Sequence, residues 1–269
     1  MKKPILMLLG LFGTSIALPA LAQDETESWE DELLYEEEPV RTWLASIELG
    51  LLLTSGNTEK ESLKGRLDAT QDLAKWRNTY NLEAFSSNDQ DKATAERYRA
   101  SAKSDYKLLD DGSYLFGRLA GVDDRFSGYH YELTTTIGYG FRPWEQSLSY
   151  SDDNAFLELE AGPGYRYAKI RASQLEPGED DTEEAGILRV AGRFMYPLSA
   201  GARFDQRFST ESSILGDNNF IAESESALVA NLVSSLAMKL AVNVRYLKEP
   251  PSGKKSTDTE TSVTLIYTL

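Results

Sequence analysis

Thr257-Asp258-Thr259-Glu260-Thr261-Ser262-Val263-Thr264-Leu265-Ile266-Tyr267-Thr268-Leu269 is the stretch whose reading decides the fold. Taken at period two, Thr259, Thr261, Val263, Leu265, Tyr267 and Leu269 share one face, which grows more apolar toward the end. Asp258, Glu260, Ser262, Thr264, Ile266 and Thr268 form the other face, which is mostly polar or acidic. That alternation predicts a two-faced β-strand. An apolar strand with an open edge invites aggregation, and closure into a barrel is the arrangement that removes both edges. The partner it needs is the first strong strand, Trp43 to Thr54. There Trp43, Ala45, Ile47, Leu49, Leu51 and Leu53 lie on one face, and Ser46, Glu48 and Gly50 on the other.

Alternation alone leaves two senses open. In a water-soluble sandwich the apolar face is the interior. In a membrane barrel the sense inverts, with apolar side chains toward lipid and polar ones toward the lumen. The N-terminus bears on the choice. Lys2 and Lys3, the apolar run Ile5 to Leu18 and the small-residue site Ala20-Leu21-Ala22 read as a signal peptide over 1–22, too short for a lasting membrane helix. Residues 23–42 are crowded with Asp and Glu and read as an acidic periplasmic tail, leaving 43–269 for the barrel.

The chain has no cysteine, so packing or a membrane must hold it. Its formal charge is −15, and losing Lys2 and Lys3 would take it to −17. That balance disfavours nucleic acid as a partner.

Twelve strands are expected, at 43–54, 61–73, 76–86, 97–108, 114–123, 130–141, 156–168, 186–196, 199–209, 221–233, 236–247 and 258–269. Each is about the ten residues a tilted strand needs to cross a bilayer. Ala74-Lys75, Leu109–Ser113, Pro197-Leu198 and Ser234-Ser235 read as tight turns. Thr54–Lys60, Ser87–Glu96, Lys169–Ala185, Thr210–Phe220 and Lys248–Thr257 read as longer loops. Only Arg142–Asn154 breaks this alternation, being long on the short-turn side.

Aromatic residues choose between the two senses. Trp43, Trp76, Tyr106, Phe141, Tyr196 and Tyr267 fall on the predicted outward face at the short-turn ends. Tyr98, Tyr131, Tyr167, Phe208 and Tyr246 fall on that face toward the long loops. Two belts of rings mark two membrane interfaces. The opposite face alternates charges, among them Lys64, Arg66, Asp68, Arg77, Glu83, Arg97, Arg99, Lys103, Asp105, Glu158, Glu160, Arg166, Arg189, Arg193, Arg203, Asp205 and Arg207. Three features fit less well. Arg118 drags Tyr114 and Phe116 inward with it, Asn78 lands on the outward face, and Pro163 predicts a bulge at Gly162-Pro163-Gly164.

Leu49–Thr58 with Ser55-Gly56-Asn57-Thr58, Gly138-Tyr139-Gly140-Phe141, Glu160-Ala161-Gly162-Pro163-Gly164-Tyr165-Arg166 and the closing strand together resemble the salt-induced outer-membrane proteins of Gram-negative bacteria, long classed as a domain of unknown function. The likeness runs from Trp43 to the end. Members close on an aromatic, whereas this chain ends on Leu269. The resemblance implies an outer-membrane barrel inserted by the barrel assembly machinery, and it implies no catalytic or binding residue.

Enzymatic readings find little to build on. His130 is the one histidine, with Ser127 three residues away, but no Gly-x-Ser-x-Gly nucleophile elbow occurs. It is the only catalytic histidine that an outer-membrane enzyme acting on lipid could use. Metal sites lack cysteine and paired histidines, and Glu176–Glu184 offers hard oxygens without calcium-loop spacing. No Gly-x-Gly-x-x-Gly opens a helix for a nucleotide. The expectation is therefore a closed antiparallel transmembrane β-barrel of 12 strands in the cell outer membrane. It is expected to be non-enzymatic and without a cofactor, and to act as a narrow, weakly selective channel or an envelope-structural protein. Its expected partners are outer-membrane lipid and lipopolysaccharide, the assembly machinery, and small ions in an open lumen.

Overall fold

The computed structural model describes residues 42–54, 60–89, 92–108, 112–125, 127–172, 175, 180–216, 219–250 and 255–269. The expected signal peptide at 1–22 and all but Thr42 of the expected acidic tail at 23–42 lie outside them. Twelve antiparallel strands form one closed ring, each paired with its neighbours in sequence and the last with the first. They are β1 Trp43–Thr54, β2 Lys60–Asp72, β3 Trp76–Asp89, β4 Lys92–Lys107, β5 Tyr114–Asp124, β6 Tyr129–Gln146, β7 Ala155–Ile170, β8 Thr182–Ser199, β9 Ala202–Gly216, β10 Phe220–Val233, β11 Leu236–Leu247 and β12 Thr257–Thr268. All twelve expected strands are present, and no helix occurs among the described residues.

The closing seam pairs Ser46 with Thr268 through Leu49 with Leu265, and the Leu269 amide donates to the Ala45 carbonyl. Both faces follow the alternation. Leu49, Leu51, Leu265 and Tyr267 are about half exposed or more on the outside. Glu48 and Thr264 are buried within, where the Thr264 hydroxyl donates to Glu48 Oε1 at 2.7 Å. The outer surface carries a continuous apolar band, with Leu82, Leu119, Leu133, Ile137, Leu228, Leu240 and Val263 all exposed. Water penalises so large an apolar surface, whereas hydrocarbon accommodates it.

Trp76 and Tyr106 stack edge to face at 5.0 Å at the short-turn rim, and Tyr131 stacks on Tyr167 at 6.0 Å at the other. Phe208 departs from its expected belt. β9 runs on to Gly216, so Phe208 sits mid-strand, its ring on the face of Gly192 across the ladder.

Other boundaries move for readable reasons. β6 continues past a register shift between Phe141 and Trp144, where Pro143 lacks a ladder donor, and ends at Gln146. The first five residues of Arg142–Asn154 are thus strand, and the connection shortens to 147–154. β8 likewise absorbs Pro197-Leu198 through a shift between Pro197 and Ser199, so the turn falls at Ala200-Gly201. Ser87–Glu96 and Thr210–Phe220 are largely strand too, because β3, β4 and β9 run past the expected ends.

The bulge expected at Gly162-Pro163-Gly164 does not form. Thr136 pairs with Gly164 and Tyr139 with Ala161 in one unbroken register, and the ladder merely lapses between them. Pro163 has no amide hydrogen to give, and its pairing to Leu188 on β8 is undisturbed. Tyr114 and Phe116 do turn inward, with no shift in β5. They are nearly solvent-free because Gly140 and Gly138 leave room for their rings on β6. Asn78 faces outward as expected. It accepts from Ser104 at 2.7 Å and donates to Gln71 at 3.1 Å, so its amide is satisfied without water.

Candidate functional site

Period-two alternation delivers every inward charge to one lumen, and the ring decides which charges meet. Arg99 on β4 reaches Glu223 on β10, six strands away around a ring of twelve, at 3.3 Å. That pair crosses the full bore. Arg245 on β11 holds Glu132 on β6 through two contacts at 3.0 and 3.2 Å, and Arg66 on β2 meets Glu225 on β10 at 3.4 Å. Nearer one end of the ladder, Arg77 on β3 bonds Asp105 at 2.8 Å and Glu158 on β7 at 3.3 Å, while Lys103 on β4 bonds Glu160 on β7. Nearer the other end, Arg97 on β4 and Lys64 on β2 converge on Glu260 of β12, the latter at 2.8 Å.

Pairs along the wall fill in between these crossings. Arg193 grips Asp205 with two hydrogen bonds at 3.1 and 2.8 Å, and Arg207 lies 3.6 Å from the same carboxylate. Lys239 binds Glu48 and Glu225 at 3.3 and 3.2 Å. Charges that share a bore are costly alone and tolerable when paired and hydrogen-bonded, and here nearly all are. The inward rings join the network. Tyr114 donates to Glu160 at 2.8 Å, with the Arg77 guanidinium 5.0 Å from its ring centre and the Lys103 ammonium at 5.1 Å.

Of the inward acids Glu48, Asp68, Glu83, Glu160 and Asp205, four meet an arginine. Asp68 is bound by Arg66, Glu83 lies 3.6 Å from Arg97, Glu160 meets Arg189 at 3.4 Å, and Asp205 takes Arg193. Glu48 finds a lysine instead. Glu132, Glu223, Glu225, Lys239 and Arg245 are paired lumen charges missing from the sequence reading. The same alternation on β6, β10 and β11 carries them. Arg99, Arg193 and Arg207, which look equivalent by alternation, are not. Only Arg99 crosses the bore, while the other two bind acids on adjacent strands.

The remaining chemistry does not assemble. His130 is exposed at the start of β6 with its ring 5.5 Å from that of Tyr131. Ser127 spends its hydroxyl inside its own turn, donating to the Asp124 carbonyl at 3.0 Å and accepting from the Tyr129 amide at 3.2 Å. No hydrogen bond joins it to His130 among the described residues. In the acidic loop Glu176–Glu184, residues 176–179 lie outside the described residues, and Asp181 pairs with Lys169 at 3.1 Å. Among the described residues no group of three or more acids and histidines is gathered as a metal site.

Residues 47–269 match the family described as "Protein of unknown function, DUF481". The "Uncharacterized protein YdiY" of Escherichia coli (strain K12) is 30% identical over 270 residues, spanning 98% of this chain and 96% of that protein. Among solved structures, the translocator domain of autotransporter NalP from Neisseria meningitidis shares 12% identity over 84% of this chain and 87% of its own, at a TM-score of 0.45. An outer-membrane channel from Pseudomonas putida F1 shares 9% identity over 90% of this chain and 100% of its own, at a TM-score of 0.46.

Proposed function

We propose that this chain, which belongs to the DUF481 family of proteins of unknown function, is a non-enzymatic outer-membrane β-barrel working as a narrow, weakly selective channel for small solutes. The observation that carries this is the set of ion pairs crossing the lumen between distant strands, Arg99–Glu223, Arg245–Glu132 and Arg66–Glu225. Twelve strands enclose a bore wider than one that side chains fill and narrower than an open porin's. Pairs reaching across such a bore narrow it well below a wide aqueous pore. Lipopolysaccharide and outer-membrane lipid would meet the apolar outer band, and the assembly machinery would insert it. Expression under salt or envelope stress is the setting that the family resemblance suggests.

Single-channel recording of the refolded barrel tests the reading. The wild type is expected to conduct weakly. Replacing Arg66, Arg99 and Arg245 together by serine should raise conductance and move selectivity toward cations, because three crossing cations leave and their acids stay. Replacing Arg193 and Arg207, which line the wall, should change conductance less. A wild type that conducts like a general porin, unchanged in the triple variant, would sink the constriction. A wild type and triple variant that are both silent would favour an envelope-structural role.

Localisation has its own test. Cleavage after Ala22 and recovery of the mature chain in the outer-membrane fraction are expected, since a signal-like N-terminus precedes a barrel with an apolar exterior. Recovery of the chain as a soluble periplasmic protein would overturn the membrane reading.

A further inference from the structure

We propose that the outer face of β9 to β12 is the surface on which a second copy of this chain docks within the membrane, with Gln206 and its neighbouring hydroxyls at the centre of the contact. Midway along their strands, β3, β5, β6 and β8 present Leu82, Leu119, Ile137 and Val190 to the outside, all exposed. The midpoints of β10 and β11 belong instead to a polar row. Ser226 pairs with Gln206 on β9 and with Val242 on β11, and Val242 pairs with Thr261 on β12, so the four lie side by side on the outer face. One step toward the long loops, Ser224, Val244 and Thr259 continue it.

The Gln206 amide donates to Ser224 at 2.9 Å and to the Arg207 carbonyl at 3.1 Å, and it accepts from Ser226. Among the described residues the Ser224 hydroxyl donates to nothing, and the Thr259 and Thr261 hydroxyls make no hydrogen bond. Hydrocarbon offers such groups no partner, and a polar group left without one there is costly. Chemistry and depth choose the occupant. An acyl chain cannot hydrogen-bond, and the row carries no formal charge to draw a phosphate headgroup. A second copy does match it. The row holds donors and acceptors together, so it complements itself. Two copies inserted in the same sense sit at one height, and a two-fold axis along the membrane normal brings row against row. Ser, Thr and Gln side chains join transmembrane segments in this way. The row also ends where the ring is least secured. β11 pairs with β12 from Thr257 to Tyr267, whereas among the described residues β1 pairs with it only from Leu265 to Thr268. Packing against Thr259 and Thr261 from outside braces the half of the seam that this ladder leaves.

The docking surface rests on the membrane reading of the barrel and not on whether the bore conducts. The chain has no cysteine, so single replacements report proximity cleanly. Val242→Cys, in the row, and Ile137→Cys, on β6, both replace exposed outward residues. Oxidation in isolated membranes with copper phenanthroline should link Val242→Cys into a dimer and leave Ile137→Cys monomeric. Adding Gln206→Leu to Val242→Cys should weaken self-association roughly three- to tenfold, read from the linked fraction across a series of protein-to-lipid ratios. Leucine suits a lipid-facing position, so that variant keeps its fold, which heat-modifiable migration confirms. Thr261→Cys takes the place of Val242→Cys should the latter not fold. Equal linking at the row and at Ile137→Cys, or a dimer indifferent to Gln206→Leu, overturns the proposal. A chain that stays monomeric in the membrane also overturns it, with lipid alone covering the row, and leaves the barrel reading standing. Recovery of the chain as a soluble protein overturns both.

Discussion

Gly162→Val is expected to prevent the barrel from closing. A Cβ at this position would fall on the Ile137 carbonyl oxygen and stand 2.6 Å from the Gly138 Cα, and both are backbone of the adjoining strand. A flexible side chain could swing aside, but a ladder strand locked into β5 on its other edge cannot. Pro163 has already removed one ladder bond at this point, so β6 and β7 are held here by close approach more than by hydrogen bonds. The cost should sit at or beyond the upper end of core overpacking, about 3 kcal/mol or more. Heat-modifiable migration of the refolded protein reports it, and loss of the fast-migrating folded form is the expected result. Gly117→Val is the control. Nothing lies within 4 Å of its Cβ position, on the outward face of β5, and a shift within about 0.5 kcal/mol is expected there. Equal folding of both variants would mean that β6 and β7 are not in the close contact described.

Leu51→Arg and Leu265→Arg should each lower stability by about 2–4 kcal/mol in a bilayer. Leu51 is 63% exposed and Leu265 is 48% exposed on the outer face, yet both are apolar and lie on the two strands of the closing seam. A guanidinium there must be dragged into hydrocarbon or must snorkel to an interface, and either costs more than the leucine it replaces. Refolding into lipid vesicles followed by urea titration measures the difference. The same substitutions in a water-soluble barrel would be neutral or favourable. A change near zero at both positions would mean that the outer face meets water.

Much of the fold was legible because its main signal is local. Alternation assigned Leu49, Leu265 and Tyr267 to the outside and Glu48, Lys64, Asp105 and Arg166 to the inside, and the buried or exposed state of each agrees. Three of the errors fall where a strand runs through proline. At Pro143 and Pro197 a register shift carries the strand past the residue that looked like its end. At Pro163 the glycines on either side let the two backbones stay in register, so no bulge was needed. A missing amide donor predicts that the ladder is disturbed but not how neighbouring strands absorb the disturbance.

The candidate site divides in the same way. Arg99, Arg193 and Arg207 occupy equivalent inward positions, and alternation treats them alike. Arg99 crosses to β10 while Arg193 and Arg207 stay on the wall, because partners are set by strand order and register around a closed ring. The inward turn of Tyr114 and Phe116 followed from Arg118 by parity alone, but the glycines of β6 that receive their rings became meaningful only once β5 lay beside it. The amino-acid sequence by itself determined the number of strands, their two faces and the closure of the ring, since each depends on a two-residue period and on apolar surface that must be covered. Which charges meet across the lumen was decided only by the tertiary structure, because those contacts join residues that share no local pattern.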